Sequence, residues 1–245
     1  MNKKIIVLVG PTAVGKTALS IDIAKKYDLE VISGDSMQIY KGMDIGTGKI
    51  TESEMDGVNH YMIDVITPEE IYSVAEFQRD VKSLIDESYA KGKIPFIVGG
   101  TGFYIQALLY EFEFDKDNET DTDIKYDALV IGLNRDRAKL YEAINARVEE
   151  MFEAGLENEV KKLFDNYTFG LTASGAIGYK EFIPYFEGSL TLEEVKENIQ
   201  KNSRNYAKRQ LTYFRNKLPV IWFDTDEDRK EDVFKTIDQF LEKNI

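Results

Sequence analysis

Eight consecutive residues limit what this chain can be. Gly10, Pro11, Thr12, Ala13, Val14, Gly15, Lys16 and Thr17 follow the apolar run Ile5 to Val9 and lead into the apolar-periodic segment Ala18, Leu19, Ile21, Ile23, Ala24. The order is strand, glycine loop, helix, and the spacing fits Gly-x-x-x-x-Gly-Lys-[Ser/Thr] without a mismatch. Gly10 and Gly15 permit backbone conformations that a side chain would block, so successive amide N–H groups can converge on one anion. The first turn of the helix adds its unpaired N–H groups and the positive end of its dipole. Lys16 is placed to neutralise the distal phosphate, and the Thr17 hydroxyl to be a ligand of a Mg²⁺ that bridges two phosphates. The plainer alternative, a turn that merely links strand to helix, does not account for both the spacing and the flanking pattern. The motif specifies polyphosphate and leaves the nucleotide question open.

A chain of 245 residues is long enough for one α/β domain with a small appendage. It has no cysteine, which excludes disulfides and thiolate metal sites and makes a reducing compartment the simplest setting. The apolar run after Met1 is too short for a signal peptide and is needed as the strand before the loop. No segment approaches a membrane span. A soluble cytoplasmic protein, working as a monomer, is therefore expected. The formal net charge of −13 argues against indiscriminate coating of nucleic acid. Between Lys201 and Lys217, however, six basic residues stand with no acidic one, giving a cationic face on an acidic body.

Along the chain, Glu30 to Ser33 reads as a second strand with Gly34-Asp35-Ser36-Met37-Gln38 at its carboxyl end, where ligands lie in open parallel sheets. Asp35 has three readings here: a general base, a water-mediated Mg²⁺ partner, or the cap of a turn. Lys41 to Lys49 is a glycine-rich loop of a length that is usually functional or mobile. His60 to Val65 is predicted as a third strand, and His60, the only histidine, as structural. Ser73 to Ala90 is predicted as a helix with Ser73 as N-cap and Glu76 three residues on. Ile94 to Val98 is a buried strand ending in Gly99-Gly100-Thr101-Gly102. It carries no aspartate for Mg²⁺, so Thr101 is a second candidate phosphate contact as well as a helix N-cap.

Asp115 to Asp123 reads as a solvated acidic linker. Tyr126 to Leu133 resumes a strand, and Arg135 to Phe164 is helical with a break at Gly155. Its apolar positions Leu140, Ile144, Val148, Met151 and Phe152 are expected to be core. A helix from Gly178 to Phe186 is interrupted by Pro184. Leu192 to Phe214 is a long helix carrying Ile199, Tyr206 and Tyr213 on a packing face, with Lys201, Arg204 and Lys208 on a neighbouring one. Pro219 to Phe223 and Val233 to Leu241 complete the pattern as strand and helix. The alternation predicts a phosphate-loop three-layer α/β fold, a central parallel sheet with helices on both faces.

Residue chemistry alone leads to a Mg²⁺-dependent enzyme acting at a phosphate chain opposite Asp35, for which the default class is a small-molecule kinase. The basic helix and the long glycine loop, which a small substrate hardly needs, stand against that default.

Five motifs carry a resemblance. The phosphate loop, then Ser33 to Lys49 (Ser-Gly-Asp-Ser-Met-Gln-Ile-Tyr-Lys-Gly-Met-Asp-Ile-Gly-Thr-Gly-Lys), then Val98 to Tyr104, then Ala176 to Glu181, then Tyr206 to Arg215 occur in the order seen in bacterial tRNA dimethylallyltransferases. The chain resembles that family from residue 5 to about 223. The resemblance implies transfer of a dimethylallyl group from dimethylallyl diphosphate to N6 of the adenosine 3′ of a tRNA anticodon. The glycine loop then holds an isoprenoid diphosphate. It further implies that Asp35 is the catalytic aspartate, that Asp35, Ser36, Met37 and Gln38 hold tRNA, and that Thr101 touches substrate. Lys16, the loop amides, Thr101 and Mg²⁺ would stabilise the departing diphosphate. Lys201, Arg204, Lys208 and Arg209 are expected to grip the RNA backbone around an extruded base. Transfer to free adenine nucleotides is the nearest rival within the same chemistry.

One departure from the family stands out: members carry a helical insertion before the strand at Tyr126, where this chain has only the acidic tract. The expected organisation is thus a phosphate-loop core at 1–114, an acidic linker at 115–125 in place of a reduced or missing insertion, and the remainder of the core with the basic helix at 126–245.

Overall fold

The structure, a computed structural model, describes residues 3–114 and 123–242. Its elements are β1 (Lys4–Val9), α1 (Lys16–Tyr27), β2 (Val31–Ser33), α2 (Glu52–Met55), β3 (His60–Tyr61), α3 (Val74–Ala90), β4 (Phe96–Gly99) and α4 (Gly102–Tyr110). There follow β5 (Asp127–Asn134), α5 (Arg137–Glu153), α6 (Leu156–Asn166), α7 (Ile183–Phe186), α8 (Leu192–Lys217), β6 (Ile221–Asp224) and α9 (Lys230–Glu242). The six strands form one parallel sheet in the order β3-β2-β4-β1-β5-β6. This is the expected α/β architecture.

The apolar run of β1 is continuous because both faces of the sheet are covered. Ile5, Val7 and Val9 enter one core with Phe77, Ile105 and Phe214, while Ile6 and Leu8 enter the other with Ile23, Phe96 and Leu140. Each such fully buried side chain contributes roughly 2 kcal/mol. Since every strand points the same way, the turns after β1, β2 and β4 gather at one edge. There the chain approaches itself so closely that a Cβ on Gly99 would lie 2.4 Å from the carbonyl carbon of Gly34. That edge is roofed by α5, α8 and the turns before α7.

Local signals are honoured where local physics decides. Ser73 and Glu76 form a reciprocal capping box at α3, and Thr191 and Glu194 form another at α8. Gly155, at φ 95°, breaks the predicted long helix into α5 and α6. Three expectations are corrected. The third strand ends at Tyr61, because Met62 (φ 64°) and Asp64 (φ 54°) adopt left-handed backbone that no strand accommodates. The predicted 178–186 helix is a 3₁₀ turn, Lys180–Phe182, followed by α7, and Pro184 sits in the first turn of α7, where its missing N–H is harmless. The basic helix runs three residues further than expected, to Lys217. His60 is structural as predicted: its Nδ1 lies 2.9 Å from the Val58 carbonyl oxygen. Of the acidic tract, residues 115–122 lie outside the described residues.

Candidate active site

The phosphate loop divides by role. Gly10 passes so near β5 that a Cβ there would lie 2.9 Å from the Leu133 oxygen, and Ala13 (φ 61°) and Gly15 (φ 99°) supply the left-handed turns. Pro11 and Val14 are buried behind the loop, and Pro11 has no N–H to offer an anion. Thr12, Ala13, Lys16 and Thr17 face a cavity of about 320 Å³ at the carboxyl edge of the sheet. The Lys16 ammonium donates to the carbonyls of Gly10 (2.9 Å) and Pro11 (2.7 Å). Lys16 keeps part of its surface open to the cavity, yet protein atoms crowd it, and this burial pulls its pKa down to about 8. Nearby Asp35 opposes that shift and Arg147 adds to it.

Asp35, Ser36, Met37 and Gln38 line the same cavity. Asp35 Oδ1 accepts the Met37 amide at 2.9 Å, so the turn-capping reading is realised, and the carboxylate lies near Lys16 and Arg147 in the same cavity. Thr101 stands at the expected N-cap position of α4 but makes no side-chain cap bond; its Oγ1 instead accepts the Ser36 amide (3.0 Å) and donates to Ser36 Oγ (3.2 Å). It holds the Asp35 segment from behind.

Four contributors were not legible beforehand. Arg147 of α5 reaches into the cavity and donates from Nη2 to the Gly48 carbonyl at 3.2 Å. Burial draws its guanidinium below the ordinary arginine value, while Asp35, Glu150 and Glu54 hold it up. Gly48, at φ 56°, leaves no room for a side chain, since its Cβ would fall 1.5 Å from Arg147 Nη2. Gln210 of α8 is buried and ties two loops together: its Oε1 accepts the Thr12 amide (3.0 Å) and its Nε2 donates to the Gly100 carbonyl (2.9 Å). Tyr206 lines the cavity rather than simply packing, its pKa raised to about 12 by burial and then by Asp35. Glu159 pins the glycine-rich loop from outside, accepting the amides of Asp44 (3.2 Å), Ile45 (2.8 Å) and Gly46 (3.1 Å). The only advance signal for any of these was membership of Gln210 and Tyr206 in one motif.

Ile144, Val148 and Met151 of α5, expected as core, form an apolar cavity wall with Ile177 and Ile199. The cavity lining thus combines ionic side chains with hydrocarbon. Of the basic residues on α8, Arg209 lines the cavity, Lys201 and Lys208 are exposed on the surface, and Arg204 is turned aside to Asn145 Oδ1 at 2.5 Å.

Among the described residues no group of three or more His, Asp or Glu side chains could hold a metal ion by itself. A Mg²⁺ here would need most of its oxygen ligands from a diphosphate and water, with Thr17 as the protein's share, and that hard-oxygen donor set suits Mg²⁺. No helix among the described residues is long and apolar enough to cross a membrane.

The family model for IPP transferase matches residues 38–125 and 114–217, two segments that meet in the acidic tract. The tRNA dimethylallyltransferase of Macrococcus caseolyticus is 42% identical over 97% of this chain and 96% of its own length. Its alignment runs over 299 positions, more than the 245 residues present here, so that relative carries residues with no counterpart in this chain. The tRNA dimethylallyltransferase of Bacillus subtilis is 40% identical over 98% of each chain. The crystal structure of the full-length tRNA isopentenylpyrophosphate transferase from Bacillus halodurans superposes with a TM-score of 0.92 at 40% identity, over 99% of this chain and 98% of that one. With relatives of about 40% identity over nearly its whole length and the same fold around its phosphate loop, the chain belongs to the tRNA dimethylallyltransferase family.

Proposed function

We propose that the cavity binds dimethylallyl diphosphate and transfers its five-carbon group to N6 of the adenosine 3′-adjacent to a tRNA anticodon. The carrying observation is that Lys16, Arg147 and Asp35 line one cavity together with the apolar side chains of Ile144, Val148 and Met151. A molecule with a charged head and a short branched hydrocarbon tail matches both kinds of lining. The loop amides of Ala13 to Thr17 and the Lys16 ammonium take the diphosphate, and Arg147 adds a second cation. The allylic carbon then lies on the Asp35 side.

An aromatic amine is a weak nucleophile. As its nitrogen forms the new C–N bond, the allylic C–O bond breaks, Asp35 accepts the N6 proton, and diphosphate leaves with the bonding electrons. Lys16, Arg147 and the free loop amides lie where they would stabilise that growing negative charge. Mg²⁺, held by diphosphate oxygens and the Thr17 hydroxyl, would supply further charge neutralisation. Thr101 acts one step back, keeping Ser36 and hence Asp35 in register.

The extruded base enters beside Asp35 to Gln38, with Arg209 at the mouth. The acidic tract takes the place of the family's helical insertion, a reading supported by the two family-model matches that meet there. More of the RNA grip then falls on the core itself. We read the enzyme as a cytoplasmic monomer; sedimentation at working concentration checks the second part.

The deciding experiment incubates the protein with labelled dimethylallyl diphosphate and, separately, a tRNA with adenosine beside its anticodon, AMP, and ATP. Label is expected on tRNA alone. Label on AMP but not tRNA would replace the substrate assignment, and phosphoryl transfer from ATP in the absence of prenyl transfer would return the protein to the kinase class.

A further inference from the structure

The glycine-rich loop from Lys41 to Lys49 ends on a lysine that is turned inward. The Lys49 side chain is only 5% exposed, and its ammonium donates to the Tyr40 carbonyl (2.8 Å), Asp44 Oδ1 (2.6 Å) and Asp64 Oδ1 (2.5 Å). A lysine on a loop ordinarily keeps its ammonium in water, because burying an unpaired charge costs more than the packing of its stem returns. Here three N–H donors meet three acceptors, two of them carboxylates that stay half-exposed, so the cost of burial is offset in this one geometry.

The knot joins three stretches of chain. Tyr40 follows the Asp35 segment, Asp44 lies within the loop, and Asp64 belongs to the left-handed turn after β3, where its own amide donates to the Gln38 carbonyl at 3.2 Å. Lys49 thereby closes the loop on its own starting point. The first half of the loop has a separate anchor, since Glu159 takes the amides of Asp44, Ile45 and Gly46. The returning half depends on the knot. The Gly48 amide donates to the Ile45 carbonyl and the Lys49 amide to the Asp44 carbonyl, each at 2.9 Å, which leaves the Gly48 carbonyl to accept Arg147 Nη2 at 3.2 Å. Among the described residues that is the hydrogen bond the guanidinium makes. Lys49 itself lies outside the cavity lining, next in the chain to the residue on which Arg147 rests.

We propose that Lys49 is a positioning residue for the anion site: by fixing Gly48 it holds the Arg147 guanidinium in the cavity, without itself touching a substrate. The inference rests on the reading of the cavity as a diphosphate site. It gives the glycine-rich loop a task, that of a fixed ledge under a cation.

The test measures inorganic diphosphate binding by calorimetry for the parent protein, Lys49→Met, Arg147→Ala and the double variant. Methionine keeps an unbranched stem and removes the ammonium, leaving two carboxylates that water already reaches. Lys49→Met is expected to weaken binding about tenfold in the parent background, and less than about twofold where Arg147 is already alanine. Asp64→Asn, which keeps an oxygen for the ammonium, is expected to show a smaller loss of the same pattern, and it serves where the methionine variant folds poorly. Losses that multiply in the double variant would overturn the proposal. So would a Lys49→Met protein whose unfolding midpoint falls while its diphosphate affinity stays at the parent value, which would make the knot structural only, or an Arg147→Ala protein that binds diphosphate as the parent does. Transfer of label to tRNA is scored separately: a parent that shows the expected binding pattern but labels no tRNA upholds Lys49 and refutes the substrate reading alone.

Discussion

The Tyr179 hydroxyl donates to Glu159 Oε1 at 2.6 Å, and the same carboxylate gathers three successive amides of the loop that walls the cavity. Gly46 lies so close to this pair that a Cβ on it would meet the Tyr179 ring at 2.5 Å. One acidic side chain on α6 therefore decides where Gly46, Thr47 and Gly48 stand. Removing it leaves three donors and a phenol unmatched. Glu159→Ala is expected to lower unfolding stability by roughly 3 kcal/mol and Tyr179→Phe by roughly 1 to 2 kcal/mol. Denaturant titration measures both, and equal effects from the two variants would show that the phenol, not the amides, is what matters.

Arg147 and Gly48 form a second dependence across the cavity. Gly48→Ala places a methyl where the guanidinium lies and also strains a left-handed residue. It is expected to mimic Arg147→Ala, each lowering kcat/KM by about 10² to 10³-fold through weakened charge stabilisation. If Gly48→Ala keeps full activity while Arg147→Ala does not, the guanidinium works from a position other than the one described.

Lys16 carries a pH signature. Burial lowers its pKa to about 8, so above that pH the folded protein increasingly holds a neutral amine. Diphosphate affinity should be flat below pH 8 and fall up to tenfold per pH unit above it. Lys16→Arg should extend the plateau, because guanidinium stays charged. Stability moves the opposite way: between about pH 8 and the ordinary lysine value the unfolded chain binds more protons, so unfolding free energy rises with pH. Calorimetric titration of diphosphate from neutral to alkaline pH, for both proteins, would expose a Lys16 that does not titrate.

Asp35→Asn retains an oxygen for the Met37 amide and removes the carboxylate proposed as the base. Single-turnover transfer is expected to slow by 10² to 10⁴-fold while dimethylallyl diphosphate still binds. A fall in binding with an intact rate constant would make Asp35 an organiser of the site.

What could be read from the chain follows the range of the physics involved. The loop at Gly10 to Thr17, the Ser73 cap and the break at Gly155 depend on residues within a turn of one another, and each appears where expected. The premature end of β3 came from two left-handed residues whose side chains, Met and Asp, give no warning. Arg147 and Glu159 were hidden for another reason. Each sits on an ordinary amphipathic helix and meets its loop partner about a hundred residues away in sequence, so no window contains both. Val148 is core as expected and Met151 packs against it; that both also line the cavity was not legible, because a wall that shelters hydrocarbon has the same periodicity as a face that packs against protein.

Gln210 has one further implication. With one end of its amide on Thr12 and the other on Gly100, it rivets α8 to the phosphate loop and to the turn after β4. Any ligand that shifts α8 would therefore tug the phosphate loop as well, so substrates held at the two places would sense each other's arrival mechanically, through a single carboxamide.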